Sequence, residues 1–194
     1  MHFKKRRGPY PAAYEAAKGP HDQFDSPQCK SPSYRLAFQD SEFLLWDDLR
    51  PTRMMLELLK PELILQDYGV DSTIVFFGSA RIPDQASAQQ AVTDIEDMLE
   101  SDPDNQDLYK KLHTAKKRLA NSRYYEEARK LAQTISQRTA ENTMLIITGG
   151  GPGVMEAANR GAQDVKARSI GLNIVLPHEQ APNTYISPEL SFQF

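Results

Sequence analysis

The chain alternates between stretches where apolar residues recur at helical spacing and short stretches where they run without a break. Thr73-Ile74-Val75-Phe76-Phe77, ended by Gly78, and Met144-Leu145-Ile146-Ile147-Thr148 are β-branched, aromatic or aliphatic almost throughout. Such runs predict strands buried on both faces, as in a parallel sheet. A third strand is predicted over Ser169–Leu176, ended by Pro177. Ahead of it, Val154, Ala157, Ala158, Gly161, Ala162 and Val165 fall on one face of a helix. Strand, long crossover, strand, glycine loop, helix, strand is the beginning of an α/β protein, with a Rossmann-like doubly wound parallel sheet.

The crossover between the first two strands exceeds the dozen or so residues that a parallel connection needs. Residues 85–100 and 105–140 have helical spacing, divided by Asp102-Pro103-Asp104-Asn105. A helical insertion over about 85–140 is therefore predicted. In its second part Leu108, Leu112, Ala115 and Leu119, then Ala128, Leu131 and Ile135, form the apolar stripe, which needs a partner in the upstream helices or in another subunit. Lys110, Lys111, Lys116, Lys117 and Arg118 read as its solvated face. Upstream, residues 40–68 also read as helical, with Asp40 or Ser41 as cap and Pro51 in a first turn. Phe43, Leu44, Trp46 and Leu49, then Met54, Met55, Leu58 and Leu59, make the stripe; Pro61 predicts a break and Gly69 a C-terminal cap. Residues 1–35, with Pro9, Pro11, Pro20, Pro27 and Pro32, read as a loosely ordered arm with a helical turn at Ala12–Lys18. The organisation predicted is an arm and helical extension over 1–70 and a Rossmann-like domain over 71–194.

Composition removes several classes of function. The net charge of −3 gives no domain-wide basic field for a nucleic-acid backbone, and the one basic run, Lys4-Lys5-Arg6-Arg7, sits at the N-terminus. The single cysteine, Cys29, allows no internal disulfide, and four scattered histidines (His2, His21, His113, His178) suggest no metal site. No apolar run approaches the roughly 18 residues of a membrane helix, and the N-terminus has no secretory pattern. A cytoplasmic setting is the default expectation.

Candidate chemistry lies in two loops at strand C-terminal ends, the ligand-binding edge of an open parallel sheet. They are Gly78-Ser79-Ala80-Arg81 and Thr148-Gly149-Gly150-Gly151-Pro152-Gly153. Glycines let backbone amides approach an anion, and the helix that follows turns its unsatisfied amides and positive dipole end toward the same point. A phosphate is the expected guest. The loop lacks the spacing of Gly-x-Gly-x-x-Gly, since Val154 stands where the third glycine would be, and no Gly-Lys-Ser/Thr follows. Dinucleotide enzymes and P-loop ATPases are both disfavoured. Ser79 and Arg81 can reach a phosphate or ribose, though Gly-Ser after a strand is also ordinary turn chemistry. Glu156, in the first helical turn, serves the helix dipole, or else it hydrogen-bonds ribose hydroxyls or fixes the loop.

Phe77-Gly78-Ser79-Ala80-Arg81, Gly149-Gly150-Gly151-Pro152-Gly153-Val154-Met155-Glu156-Ala157-Ala158-Asn159, Ile170-Gly171-Leu172-Asn173-Ile174 and Leu176-Pro177 resemble the LOG (LONELY GUY) family, many of whose members carry the label "possible lysine decarboxylase". The resemblance covers roughly residues 45–194, and Arg50–Gly69 is similar to the prefix of longer bacterial members. It implies a nucleoside 5′-monophosphate phosphoribohydrolase, cleaving the N-glycosidic bond of AMP or a cytokinin nucleotide to free base and ribose 5-phosphate. It further implies a homodimer or higher homo-oligomer with no organic cofactor. On this resemblance Gly78, Ser79, Arg81, Thr148, Gly149, Gly150, Gly151, Gly153, Val154, Met155 and Glu156 are the substrate- and phosphate-binding residues. The family's second signature, Pro-Gly-Gly-x-Gly-Thr-x-x-Glu, is absent. Its catalytic Arg and Glu are expected beyond residue 194, in the missing part of a longer protein, and the 194-residue chain is expected to bind nucleotide poorly and not to hydrolyse it. A non-catalytic nucleotide-binding or sensing module is the alternative. Decarboxylation is rejected: the lysines cluster in the arm and the insertion, and only Lys166 follows the glycine loop. The insertion is expected to lie mostly outside the nucleotide site.

Overall fold

A computed structural model of the chain describes residues 12–18, 25–138, 144–175 and 181–194. The chain divides into two compact units, Met1–Glu62 and Leu63–Phe194.

In the first unit the predicted helical turn is α1, Ala13–Ala17. A second short helix, α2 (Pro27–Lys30), starts where the Ser26 side chain accepts from the Cys29 amide. The third, α3 (Ser41–Leu44), is capped by the Asp40 carboxylate, which accepts from the amides of Glu42 and Phe43. Phe43 meets Trp46 edge-on with ring centroids 5.2 Å apart. The Arg53 guanidinium donates to the carbonyls of Leu44 and Trp46, each at 2.7 Å, and so ties the start of the long helix α4 (Arg50–Asp67) to the chain before it. Helix α4 runs through Pro61, where a break was predicted. A proline removes one i→i−4 hydrogen bond, and here the turns on both sides carry the helix past it. Beyond α4, Gly69 takes a positive φ of 67°, as a helix-ending glycine should.

The second unit is built on four parallel strands: β1 (Ser72–Val75), β2 (Met144–Thr148), β3 (Ser169–Asn173) and β4 (Ser191–Gln193), side by side in that order. The Rossmann-like α/β class expected from the sequence is the class observed. The third strand is shorter than predicted, and Leu176 and Pro177 lie outside the described residues. Strand β4 was not predicted. The short segment Ser191-Phe192-Gln193 pairs with β3, and the pairing continues through Phe194, whose amide donates to the Asn173 carbonyl.

Strand β2 is buried on both faces, as its unbroken apolar run requires. On one face Leu145 and Ile147 join Ile170, Leu190 and Phe192, covered by Ile64 and Leu65 from the end of α4. On the other, Ile146 packs against Ala132, Ala158 and Ala162. Strand β1 departs from the prediction. It is an edge strand and largely exposed; Val75 is 69 % exposed and Phe77, just beyond it, 94 %. The residues are those of a buried strand, but among the described residues only β2 lies beside it.

The insertion holds three helices, α5 (Gln85–Ser101), α6 (Gln106–Asn121) and α7 (Arg123–Arg138), instead of two. The extra break is at Ser122, whose buried hydroxyl donates to the Leu119 carbonyl at 2.7 Å. A serine that satisfies a helix-ending carbonyl competes with continuation of the helix. The next helix, α8 (Val154–Asp164), buries the face foreseen, through Ala157, Ala158, Gly161 and Ala162. Its partner is α7. A Cβ on Gly161 would meet Ala132 Cβ at 2.8 Å, so glycine permits the close approach. The stripe predicted for α7 is therefore displaced: Tyr125 and Ala132 are buried, whereas Leu131 is 54 % exposed. Small side chains face α8, and the stripe finds its partner within the domain.

Candidate nucleotide-binding site

The two predicted loops meet at the C-terminal edge of β1 and β2. The Val154 amide donates to the Ser79 carbonyl at 3.1 Å. A Cβ on Gly78 would lie 2.6 Å from Val154 Cγ1, and one on Gly153 would strike the Ser79 carbonyl and Ala80 backbone. Gly153 also has a φ of 73°. These two glycines thus serve the seating of one loop on the other.

The glycine loop is held from beneath by a buried polar network. The Thr148 hydroxyl donates to Asn159 Oδ1 at 2.8 Å and accepts from the Gly150 amide at 3.0 Å. Asn159 Nδ2 donates to the Ser169 hydroxyl at 3.0 Å. The Asn183 side-chain amide donates to the carbonyls of Gly150 and Gly151 and to Asn159 Oδ1, at 3.0, 3.1 and 3.0 Å. No buried side-chain polar atom among the described residues lacks a partner. Gly150 has a φ of 73°, and a Cβ there would overlap the Asn173 amide group. Helix α8 has no side-chain cap at Gly153, and the first-turn amides of Met155 and Glu156 have no acceptor among the described residues. That is the helix terminus an anion satisfies.

Beside this terminus is a cavity of about 460 Å³, lined by Arg81, Asp84, Arg118, Tyr125, Gly153 and Glu156 among others. Of the residues chosen from sequence, Arg81, Gly153 and Glu156 line it. Thr148 and Gly150 belong to the network below. The Ser79 hydroxyl accepts from the Arg81 amide at 3.2 Å and so shapes its own turn. Met155 lies over the loop, with its sulfur facing Gly149 and its methyl facing Gly151.

Four contributors were missed. Tyr125 comes from the insertion, and its hydroxyl donates to Glu156 Oε1 at 2.9 Å. Burial raises the phenol's pKa well above its ordinary value, so it stays a donor. Arg118, also from the insertion, stands on the cavity wall. The insertion thus lends residues to the candidate cavity, while most of it lies away from the glycine loop. Asn183 follows β3 in a loop with no sequence signal beyond a Pro-Asn turn. Asn159 did carry one, as a polar residue in the middle of α8's apolar face.

A Rossmann-like parallel sheet with a locked glycine loop at its C-terminal edge places the chain in the α/β class, whose ligands gather at that edge. Within that class, a model described as the SLOG cluster4 family matches residues 116–188, less than half of the chain. The SLOG superfamily includes LOG-like proteins, and at that level the match agrees with the motif resemblance. The matched segment holds Arg118, Tyr125, the glycine loop, Glu156, Asn159 and Asn183. A search of curated proteins gives no match. Among the described residues no helix is long and apolar enough to cross a membrane, and no group of three or more His, Cys, Asp or Glu could hold a metal ion.

Proposed function

We propose that the chain binds a nucleoside 5′-monophosphate and belongs to the machinery that hydrolyses its N-glycosidic bond, giving free base and ribose 5-phosphate. The observation that carries this is the open first turn of α8, set on a locked glycine loop and facing a cavity that also offers Arg81 and the Glu156 carboxylate. The amides suit a phosphate, and Arg81 adds charge. Tyr125 occupies Glu156 Oε1, and the other carboxylate oxygen suits a ribose hydroxyl pair. A carboxylate near the sugar is also what an oxocarbenium-like transition state requires.

A second reading, binding without turnover, rests on how the cavity's carboxylates are engaged. Asp84 accepts from the Ser87 amide at 3.0 Å and Glu156 from Tyr125 at 2.9 Å. Each thereby has one carboxylate oxygen engaged in structure before any water or sugar arrives.

Calorimetry with AMP and ribose 5-phosphate tests the binding, and release of free adenine from AMP tests the turnover. The decisive variant is Gly151→Val. A Cβ there meets only the flexible end of Met155, at 2.9 Å, so the fold is expected to survive while the anion's approach is obstructed. Ten-fold or greater weakening, about 1.4 kcal/mol, is expected for both ligands. Unchanged affinity would remove the loop as the phosphate site. Binding with no adenine released, by the 194-residue chain and equally by one extended to the next stop codon, would favour the second reading.

A further inference from the structure

We propose that the base of the bound nucleotide lies in a groove between α5 and α6, so that the helical insertion decides which base is accepted. This rests on the nucleotide reading given above. The groove is a cavity of about 480 Å³ that shares Pro83, Ser87 and Arg118 with the loop cavity, so the two adjoin. A small-molecule site commonly measures about 300–1,000 Å³, and the loop cavity suffices for a sugar phosphate with the groove left over for what is attached to it.

The groove's chemistry is that of a surface for a flat ring. Ala91 offers an exposed methyl group and Ile95 an aliphatic face, Ala88 and Ala115 form the floor, and Lys110 and Lys111 also line the groove. Ala88 and Ala115 are buried, fixed by the packing of α5 on α6, and the Lys116–Glu96 ion pair at 2.8 Å joins the same helices. Small side chains at these positions leave open space between α5 and α6. Arg118 stands at the junction of the cavities, and a planar guanidinium stacks on aromatic rings. Thr114, on the groove wall, donates its hydroxyl to the Lys110 carbonyl at 3.0 Å, which leaves the oxygen as an acceptor. Glu156 and Tyr125 belong to the loop cavity, on the side where the sugar is placed.

The test separates base from sugar phosphate. Ala91 and Thr114 line the groove and not the loop cavity, and both are exposed. Ala91→Phe and Thr114→Phe fill the slot from opposite helices, with thermal melts confirming the fold of each. Calorimetry on the full chain is run with AMP and with ribose 5-phosphate. The wild type is expected to bind AMP at least ten-fold more tightly than ribose 5-phosphate. Either variant is expected to lose most of that difference while holding ribose 5-phosphate as before. Equal wild-type affinities, or variants that bind AMP undiminished or lose both ligands in step, would overturn the groove as the base site. A wild type that binds neither ligand overturns the nucleotide reading itself, a different failure from the others.

Discussion

The two loops of the site are held in different ways. The glycine loop after β2 rests on a strand buried on both faces, and Thr148, Asn159, Asn183 and Ser169 satisfy one another beneath it. The Gly78–Arg81 loop follows an exposed edge strand and is positioned by what it touches, chiefly Val154 and Gly153. One loop is organised from within and the other is placed by its neighbour. A buried hydrogen-bond network with every member satisfied gives a unique geometry and makes each member costly to lose. A loop seated by backbone contact yields more readily, and its geometry is no better than that of its support.

The largest effect should come from breaking the internal lock. Asn159 is fully buried and bonded to Thr148, Ser169 and Asn183. Asn159→Ala strands these partners in a site too covered for free hydration, and a loss of about 2–4 kcal/mol is expected from several unmade buried hydrogen bonds. Urea unfolding reads it. A change below about 1 kcal/mol would mean that the network does not hold the loop.

Next comes the seam between the loops. Gly153→Ala adds a Cβ against the Ser79 carbonyl at a φ of 73°, where a side chain is already unfavourable. A cost of about 1–3 kcal/mol is expected for a strained left-handed residue, with separation of the loops as the means of relief. Faster hydrogen exchange at the Val154 amide, which donates to Ser79, is the specific sign; unaltered exchange there would show that the first loop has support of its own.

Tyr125→Phe tests the cavity wall. It keeps the ring and removes the donor to Glu156. Stability should fall by about 0.5–1.5 kcal/mol, the net worth of one hydrogen bond. If Tyr125 positions Glu156 for ribose, the preference for AMP over 2′-deoxy-AMP in calorimetry should also shrink. A preference left intact would confine Tyr125 to a structural role.

Legibility in the sequence followed the same division. The strand–glycine–helix unit could be read because β2, the loop and α8 each obey a local rule: an unbroken apolar run, φ values suited to glycine, and 3.6-residue spacing. What could not be read depends on neighbours distant in the chain. The run Thr73–Phe77 has the composition of a buried strand, and nothing local reveals that β1 lies at an edge. The stripe of α7 was misplaced because Gly161, 29 positions after Ala132, is what brings the small face inward. Tyr125 and Asn183 reach the site through the fold, Tyr125 from 31 positions before Glu156 and Asn183 from 33 after Gly150.

The smallest effect concerns the clasp that keeps α7, and with it Tyr125, against α8. Arg129 grips Asp164 with both Nε and a terminal nitrogen, the latter at 2.8 Å, and Gln133 donates to the same carboxylate at 2.7 Å. The hydrogen bond from Arg129 lowers the Asp164 pKa, and the one from Gln133 acts the same way against the opposing effect of burial. A carboxyl whose folded pKa lies below its unfolded value stabilises the fold fully above the unfolded value, near 3.9 for Asp. The contribution is lost as the pH falls from there through the folded pKa. The side chains of both partners remain 26 % exposed, so solvent screening holds the contribution to about 1 kcal/mol or less. Asp164→Asn removes the titration while keeping an acceptor for Arg129. The wild type should therefore exceed the variant in Tm at pH 7, and the gap should close as the pH falls below about 4. A gap that is constant from pH 7 to pH 3 would show that the clasp works by shape and not by charge, and that the placement of Tyr125 owes nothing to the ion pair.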